Sequence, residues 1–218
     1  MSEREDKISS VRKKLIKWYK KNGRDFPWRD TSDPYKIMIA EFMLHRTRAE
    51  QVVPVYLEFI KKYPDIKTLS TAKSNDIIKL TASLGLHRRY KHFIESVKYI
   101  IGRHNGKFPE NYDNLRKIPG IGEYIGGAIM AVSFNKPAPV VDSNIARFIN
   151  RYYGLNLNRE LRRKREIIRI AYELFNYENP GLFLFAIIDF TSVICKPRIP
   201  LCQKCPLEGC ANTEITPY

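Results

Sequence analysis

The sequence predicts an all-α protein. Apolar residues recur every three or four positions along most of the chain, which is the spacing of one face of a helix. The stretch ISSVRKKLIKWYKK places Ile8, Val11, Leu15, Trp18 and Tyr19 along one such stripe. No stretch alternates apolar and polar residues as a strand does, and Gly or Pro closes most periodic segments. These observations indicate helices joined by short turns.

The predicted helices follow one another with short breaks. Ser9 or Ser10 is a candidate cap for the first helix, and the prolines of RDFPWRDTSDPY end the periodicity after it. Further helices are predicted over 35–48 and 50–62, in SNDIIKLTASLG, RRYKHFIESVKYIIGRHNG, NYDNLRKI and EYIGGAIMAVSF, and over 142–153, 159–175 and 181–194.

The chain carries a large positive charge. Its 38 Lys and Arg residues against 23 Asp and Glu residues give a net charge of +15. Such an excess predicts attraction to a polyanion, although a merely soluble basic surface remains an alternative. No run of apolar residues is long enough to span a membrane, and the polar start MSEREDKISSVRKK does not resemble a secretory signal. We therefore expect a cytoplasmic protein without a membrane partner.

The densest basic stretch is RELRRKREIIR, residues 159–169. Its spacing fits one solvated face of a helix, and a dedicated binding stripe is the alternative.

A glycine-rich turn in KIPGIGEYIGGAIM is a candidate anion site. Gly120 and Gly122 permit backbone conformations and close approaches that side chains would block. The helix that follows begins with amide N–H groups that lack intrahelical acceptors, and these attract a phosphate. A plain corner between two helices is the alternative interpretation.

Asp142 is a candidate catalytic residue. It lies between the extended stretch KPAPVV and the helix SNIARFINRYYG, where its carboxylate can cap that helix. Capping is a purely structural role. A carboxylate held by amides at a helix start can also stabilise an oxocarbenium-like transition state on a neighbouring sugar.

All four cysteines fall in one segment, with the spacing C-x6-C-x2-C-x4-C: Cys195, Cys202, Cys205 and Cys210. In a reducing compartment, metal ligation is favoured over disulfides. Four thiolates suit either tetrahedral zinc or a four-iron cluster. Lys196 and Arg198 lie on the proline-containing loop between the first two cysteines and could contact the phosphates of a polyanion.

Three motifs together resemble one protein family. LRKIPGIGEYIGGAI followed by PVVDSNIARFINRYYG resembles the helix-hairpin-helix DNA glycosylases, and CKPRIPLCQKCPLEGC resembles the iron–sulfur segment of the endonuclease III and MutY branches. The pattern spans residues 26–210. It implies a two-domain fold with a helical barrel over 29–137, a second domain formed by 1–28 and 138–218, and a C-terminal loop around a structural [4Fe–4S] cluster. The last cysteine gap departs from the usual five residues, since here it has four.

The resemblance also implies a mechanism. Endonuclease III enzymes carry a nucleophilic lysine where this sequence has Tyr124, so a monofunctional glycosylase is implied, in which Asp142 assists departure of the base. Glu41, in IAEFMLHRTRAEQVVPVY, matches a carboxylate that protonates adenine in MutY and would bind a flipped pyrimidine in mismatch thymine glycosylases. A structural role for Glu41 is the alternative. We expect the active site between the two domains, with Asp142 and Glu41 on opposite walls and Tyr124 lining the pocket.

The base is predicted to be thymine or uracil opposite guanine. HRTR replaces a glutamine pair of MutY, GLHRRY replaces its GYYxR segment, and the chain ends soon after the cysteines. Adenine removal by a MutY-type enzyme is the alternative, and a DNA-binding module without catalysis is a more distant one. His45 and Arg46 would fill the gap left by the flipped nucleotide, or contact phosphates. We expect a monomeric prokaryotic protein that associates with the nucleoid and binds mismatched double-stranded DNA.

Overall fold

The computed structural model describes residues 3–45, 47–86 and 89–211. All regular structure in these ranges is helical, which confirms the predicted all-α class. The α-helices are α1 Glu3–Asn22, α2 Pro34–Leu44, α3 Ala49–Lys62, α4 Ile66–Ser70, α5 Ser74–Leu80, α6 Tyr90–His104, α7 Tyr112–Leu115, α8 Glu123–Ser133, α9 Ser143–Tyr152, α10 Arg165–Phe175 and α11 Pro180–Val193. Short 3₁₀ helices cover Pro27–Arg29, Ala82–Leu84, Leu161–Arg163 and Cys202–Lys204. Within the described ranges, no helix combines the length and the apolar character needed to cross a membrane.

Two predicted helix starts were wrong. Ser9 and Ser10 lie inside α1 and do not cap it, because the helix already includes Glu3. The helix predicted over 159–175 begins only at Arg165, since Arg159 and Glu160 adopt positive φ angles, near +48° and +46°, and Lys164 is extended. A right-handed helix cannot continue through residues in that conformation.

The chain forms two compact units. One, here called the central unit, comprises Asp25–Phe134, and the other, the terminal unit, comprises the described residues before Asp25 and those from Asn135 onward. The domain limits expected from the resemblance, 29–137 and 1–28 with 138–218, stay a prediction.

In the central unit, α2 is the innermost helix. Seven of its eleven residues are buried, and it packs against α3, α6 and α8. Asp33 caps its start by accepting a hydrogen bond from the amide of Tyr35. Phe93 on α6 contacts Phe42 on α2 and Phe59 on α3, with ring centroids 5.3 and 5.2 Å apart. A buried phenylalanine contributes about 1.5–3 kcal/mol, so this cluster fixes α2, the helix that carries Glu41, against α3 and α6.

In the terminal unit, α1 packs along α11, and α9 and α10 complete the core. Trp18 of α1 and Phe148 of α9 both meet Phe190 of α11 edge to face. Asp189 of α11 is fully buried and accepts hydrogen bonds from the amide and guanidinium of Arg24, all within 2.8 Å. This pair fastens the end of the N-terminal segment to α11, and removal of the Arg24 side chain would weaken the hydrogen bonding of a fully buried carboxylate.

Candidate active site and cysteine loop

The glycine-rich turn, residues 118–121, joins α7 to α8, and these three elements form the hairpin. The turn has the features of a type II turn. The amide of Ile121 donates to the carbonyl of Ile118 over 3.0 Å, with Pro119 and Gly120 between them. Gly120 has a φ angle of +82°, which the third position of such a turn requires. A Cβ added to Gly120 would lie 2.7 Å from the Cβ of His92 on α6. The packing of the turn against α6 therefore also excludes a side chain at this position.

Gly122 differs from Gly120. Its φ angle of −88° is open to any residue, so the expectation that Gly122 supplies unusual backbone freedom was wrong. A Cβ at this position would meet no protein atom within 4 Å. Gly122 is exposed immediately before the first turn of α8, and therefore leaves open space beside the amide groups that begin this helix.

Tyr124 is the second residue of α8 and is half-buried. Glu123, before it, pairs with Arg116 at 3.2 Å, and its carbonyl accepts a hydrogen bond from the hydroxyl of Tyr112. These contacts tie the first turn of α8 to α7. Burial raises the pKa of Tyr112, an effect that Arg116 opposes and Glu123 reinforces.

Glu41 lies on α2, which packs against α8, so the helices of Glu41 and Tyr124 are neighbours. Glu41 is partly exposed, whereas Ala40 and Phe42 beside it are buried. His45 follows the end of α2 and is exposed. Its carbonyl accepts a hydrogen bond from Arg89 over 3.4 Å.

Arg89 was not singled out from the sequence, although it lies in the segment GLHRRY that was compared with MutY. Arg46 lies outside the described residues, so its predicted contact with DNA stays a prediction.

Asp142 caps α9 as the sequence indicates. One carboxylate oxygen, Oδ1, accepts hydrogen bonds from the amides of Asn144 and Ile145 over 2.9 and 2.7 Å. The other, Oδ2, accepts one from the side-chain amide of Asn144 over 3.1 Å. Asp142 is partly exposed, so this fixed carboxylate remains accessible to a ligand.

A further set of hydrogen bonds leads from Asp142 to the segment that contains the four cysteines, residues 195–210, here called the cysteine loop. The side-chain oxygen of Asn144 accepts from Nη1 of Arg147 over 2.8 Å. Nη2 of Arg147 donates to the carbonyls of Cys195 and Thr191, over 2.8 and 3.2 Å. Burial lowers the pKa of Arg147, against an opposing effect of Cys195. Asn144 and Arg147 were not singled out from the sequence, because nothing in it shows that residues 48 positions apart meet.

Arg151, one turn further along α9, holds the start of the cysteine loop. It donates to the carbonyls of Lys196 and Pro197, each over 2.7 Å, and approaches the sulfur of Cys195 at 3.8 Å. The far end of the loop is also anchored, since the thiol of Cys210 lies 3.8 Å from the carbonyl of Arg151. Lys196 is half-buried in this arrangement, and Arg198 is exposed.

The four thiols lie in one neighbourhood. Burial raises the pKa of Cys205, and the charges of Cys195, Cys210 and Cys202 add to this effect. Burial also raises the pKa of Cys195, while Arg151 and Arg147 oppose the increase. Among the described residues, no three His, Cys, Asp or Glu side chains lie close enough to hold a single metal ion.

The four cysteine sulfurs can be compared with the ligands that a single zinc and a four-iron cluster require. Four thiolates around one zinc must converge on a point about 2.3 Å from each sulfur, whereas in a four-iron cluster each thiolate binds a different iron. An all-sulfur donor set fits a four-iron cluster as well as a single zinc.

These features belong to separate units. Glu41, His45, Tyr124 and the hairpin are in the central unit, while Asp142 and the cysteine loop are in the terminal unit.

Residues 39–173 match the family described as "HhH-GPD superfamily base excision DNA repair protein". The match covers more than half of the 218 residues, so the chain belongs to this superfamily. The resemblance inferred from the hairpin and Asp142 motifs is thus confirmed.

Relatives within the superfamily are similar over most of this chain. It is 34% identical to the thymine-DNA glycosylase of Aeropyrum pernix over 206 residues, covering 92% of each chain. It is 33% identical to the adenine DNA glycosylase of Buchnera aphidicola subsp. Acyrthosiphon pisum over 196 residues, covering 89% of this chain and 56% of that protein. The solved structure of a thermostable thymine-DNA glycosylase matches with a TM-score of 0.88 and 32% identity, covering 95% of this chain and 96% of the other.

Proposed function

We propose that the protein is a monofunctional DNA glycosylase that hydrolyses the N-glycosidic bond of thymine or uracil mispaired with guanine. Its membership of a base excision repair superfamily supports the reaction class. The thymine-DNA glycosylase of Aeropyrum pernix and the solved thymine-DNA glycosylase, each similar over more than nine tenths of the chain, support the choice of base. The single observation that carries the proposal is the fixed, accessible carboxylate of Asp142.

Asp142 stabilises the positive charge that develops on the sugar as the base departs. Three donors hold its carboxylate, so its negative charge is oriented before the reaction begins. Preorganised charge of this kind is typically the largest contribution to catalysis, because no reorganisation is needed in the transition state. A pure DNA-binding module would need Asp142 only as the cap of α9.

Tyr124 determines how the reaction ends. A lysine at this place could attack the sugar through its amine and form a Schiff base, and a tyrosine has no amine to do so. Water therefore completes the hydrolysis, and the DNA strand stays intact at the abasic site.

The hairpin binds a phosphate of the duplex. The first amides of α8 point their N–H groups outward at the positive end of the helix dipole, and Gly122 leaves the approach open. Lys196 and Arg198 contact further phosphates from the cysteine loop.

Base recognition is assigned to Glu41, with His45 and Arg46 occupying the gap in the duplex. A carboxylate of Glu41 can accept a hydrogen bond from N3–H, which thymine and uracil share, since the two bases differ only in the methyl group of thymine. Extrusion of a base from the duplex costs a few kcal/mol, and this cost is smallest for a mispaired base. G·T and G·U pairs are therefore opened more readily than A·T pairs. Adenine removal is the second candidate, favoured by the similarity to the Buchnera adenine glycosylase.

Cys195, Cys202, Cys205 and Cys210 would hold a [4Fe–4S] cluster. When bound, the cluster would supply rigidity to the loop, since each of its four irons anchors one cysteine. Iron and sulfide analysis of protein purified without oxygen tests this assignment. Four of each per chain support it, and stoichiometric zinc instead of iron contradicts it.

The proposed reaction is tested with duplexes that contain G·T, G·U, A·G or A opposite 8-oxoguanine. Each is incubated with excess protein and then treated either with alkali or with buffer alone. Release of thymine and uracil, with strand breaks only after alkali, is the expected result. Release of adenine would favour the second candidate. Strand breaks in buffer alone would contradict the role given to Tyr124.

Asp142→Asn separates catalysis from binding. The variant keeps an acceptor for the amides of Asn144 and Ile145, so the cap and the fold are retained. It should bind the mismatched duplex and release the base at least about 100-fold more slowly, the size of effect that follows removal of one preorganised electrostatic group. An unchanged rate would exclude Asp142 from the chemistry.

A further inference from the structure

Residues 159–169 form a strongly basic surface, here called the arginine corner, which the hairpin and the cysteine loop do not include. Six of its eleven residues are basic and two are acidic. Its arginines are all exposed: Arg159, Arg162, Arg163, Arg165 and Arg169. The sequence left open whether this stretch is a solvated helix face or a binding surface.

The two carboxylates of the corner are already engaged. Glu160 pairs with Arg163 at 3.5 Å, and Glu166 pairs with Arg169. The remaining basic residues have no ion pair with any residue of the described ranges: Arg159, Arg162, Lys164 and Arg165. A face maintained by surface ion pairs would have most of its charges matched, and here the unmatched cations outnumber the matched ones.

The corner is an ordered segment. The side-chain amide of Asn150, on α9, exchanges two hydrogen bonds with the backbone of Leu157, over 3.0 and 3.1 Å. Arg159 and Glu160 then take left-handed conformations, and the 3₁₀ helix Leu161–Arg163 follows. Its cations are therefore carried by a defined backbone, which reduces the entropy lost when they bind a ligand.

The arrangement is electrostatically unfavourable for the isolated protein. Lys164 and Arg165 occupy the start of α10, where the helix dipole is positive and acidic residues are favoured. Lys164, the residue in the capping position, makes no side-chain capping hydrogen bond. Unmatched cations at the positive end of a helix repel one another and the dipole. Glu166, in the same turn, offsets this only in part because it already pairs with Arg169, so an anion bound among the cations would relieve both repulsions.

We propose that the arginine corner binds the phosphate backbone of duplex DNA, several nucleotides from the reacting base. Asn150 lies eight residues after Asp142 on α9, about 12 Å along the helix axis, so the corner belongs to the far end of this helix. Arginine matches phosphate geometry through its planar donors. The corner has no exposed large apolar residue, which a protein interface would need at its centre. The proposal rests on the proposed function only in taking duplex DNA as the substrate.

The test compares two triple variants that lose the same charge. Arg159→Gln, Arg162→Gln and Arg165→Gln alter the corner, and Lys61→Gln, Lys67→Gln and Lys79→Gln alter exposed lysines of the central unit. Fluorescence anisotropy measures binding to a fully paired duplex of about 30 base pairs over a series of salt concentrations. A paired duplex is used because no base release consumes it. Circular dichroism verifies that both variants keep the helical fold.

Each lost phosphate contact reduces the slope of log K against log salt by about 0.9. The magnitude of the slope should therefore fall by about 2 to 3 in the corner variant and by less than about 1 in the lysine variant. On a duplex of about 10 base pairs, the corner variant should bind nearly as well as the parent. Equal losses in both variants would show an effect of net charge alone and overturn the proposal, as would an unchanged slope in the corner variant.

The result is independent of the base that the protein removes. A reduced slope together with no release from G·T or G·U duplexes would support the corner and refute the substrate. An unchanged slope together with thymine release would support the proposed substrate and refute the arginine corner as a DNA-binding surface.

Discussion

Replacement of Asn144 by alanine removes the contact that fixes the second oxygen of Asp142, and with it one acceptor of Arg147. In the variant, Oδ1 keeps its two backbone donors, and Oδ2 loses the side-chain amide that lies 3.1 Å away. One hydrogen bond to a charged group is worth about 1.5–3 kcal/mol, and water replaces part of it at this partly exposed site. A net loss of about 1.4 kcal/mol corresponds to a tenfold slower reaction.

The assay is single-turnover release of thymine from a G·T duplex with protein in excess, so that binding does not limit the rate. Ser143→Ala is the matched control, because Ser143 is the exposed neighbour at the start of the same helix. We expect about tenfold slower release for Asn144→Ala and a rate within twofold for Ser143→Ala. A folded Asn144→Ala protein with the parent rate would refute the argument that Asn144 orients the carboxylate.

Arg147→Met extends the same argument to the cysteine loop. Methionine keeps the apolar stem but loses the donors to Asn144, Thr191 and Cys195. The loss of these bonds should lower the free energy of unfolding by about 3 kcal/mol, measured by chemical denaturation. We expect iron content to fall in Arg147→Met and to fall less in Asn144→Ala, which removes one acceptor of Arg147 and leaves its bonds to the loop in place. Equal iron in all three proteins would show that the loop does not depend on Arg147.

Three further predictions follow from the structure. Gly120→Ala should lower the free energy of unfolding by about 2 kcal/mol, because of its φ angle of +82° and the contact with His92, while Gly122→Ala should leave stability unchanged and weaken duplex binding. Chemical denaturation measures the stability of both variants, and fluorescence anisotropy measures their binding to duplex DNA. Equal destabilisation of the two variants would contradict the prediction. Asp189→Asn should cost about 3 kcal/mol in the same denaturation assay, because a neutral amide replaces the buried carboxylate that accepts hydrogen bonds from the amide and guanidinium of Arg24, and a loss below about 1 kcal/mol would show that water solvates the guanidinium instead. Tyr124→Lys should acquire a covalent complex with DNA that borohydride traps, and base release without trapping would show that the new amine does not reach the sugar.

Local features of the chain could be predicted from the sequence, because they depend on residues close together. The all-α class follows from apolar spacing, the turn from Pro119 and Gly120, and the cap of α9 from Asp142 before its first helical residues. Each of these structures is determined within about four residues.

Contacts between distant residues could not be predicted in the same way. The start of α10 depends on left-handed Arg159 and Glu160, which no helix propensity indicates. Burial of Asp189 could not be anticipated either, because its partner Arg24 lies 165 positions earlier. A single sequence contains the residues of such a pair without showing that they meet.

The most consequential of these distant contacts run along one side of α9. Asn144, Arg147 and Arg151 follow one another at intervals of three and four residues, so their side chains share one face of the helix. The first holds Asp142, and the other two hold carbonyls of the cysteine loop. Unfolding of the cysteine loop would remove carbonyl acceptors of Arg147, and Arg147 would then hold Asn144 less firmly. Because such linkage is reciprocal, whatever stabilises the loop also restrains the carboxylate to which we assign the chemistry.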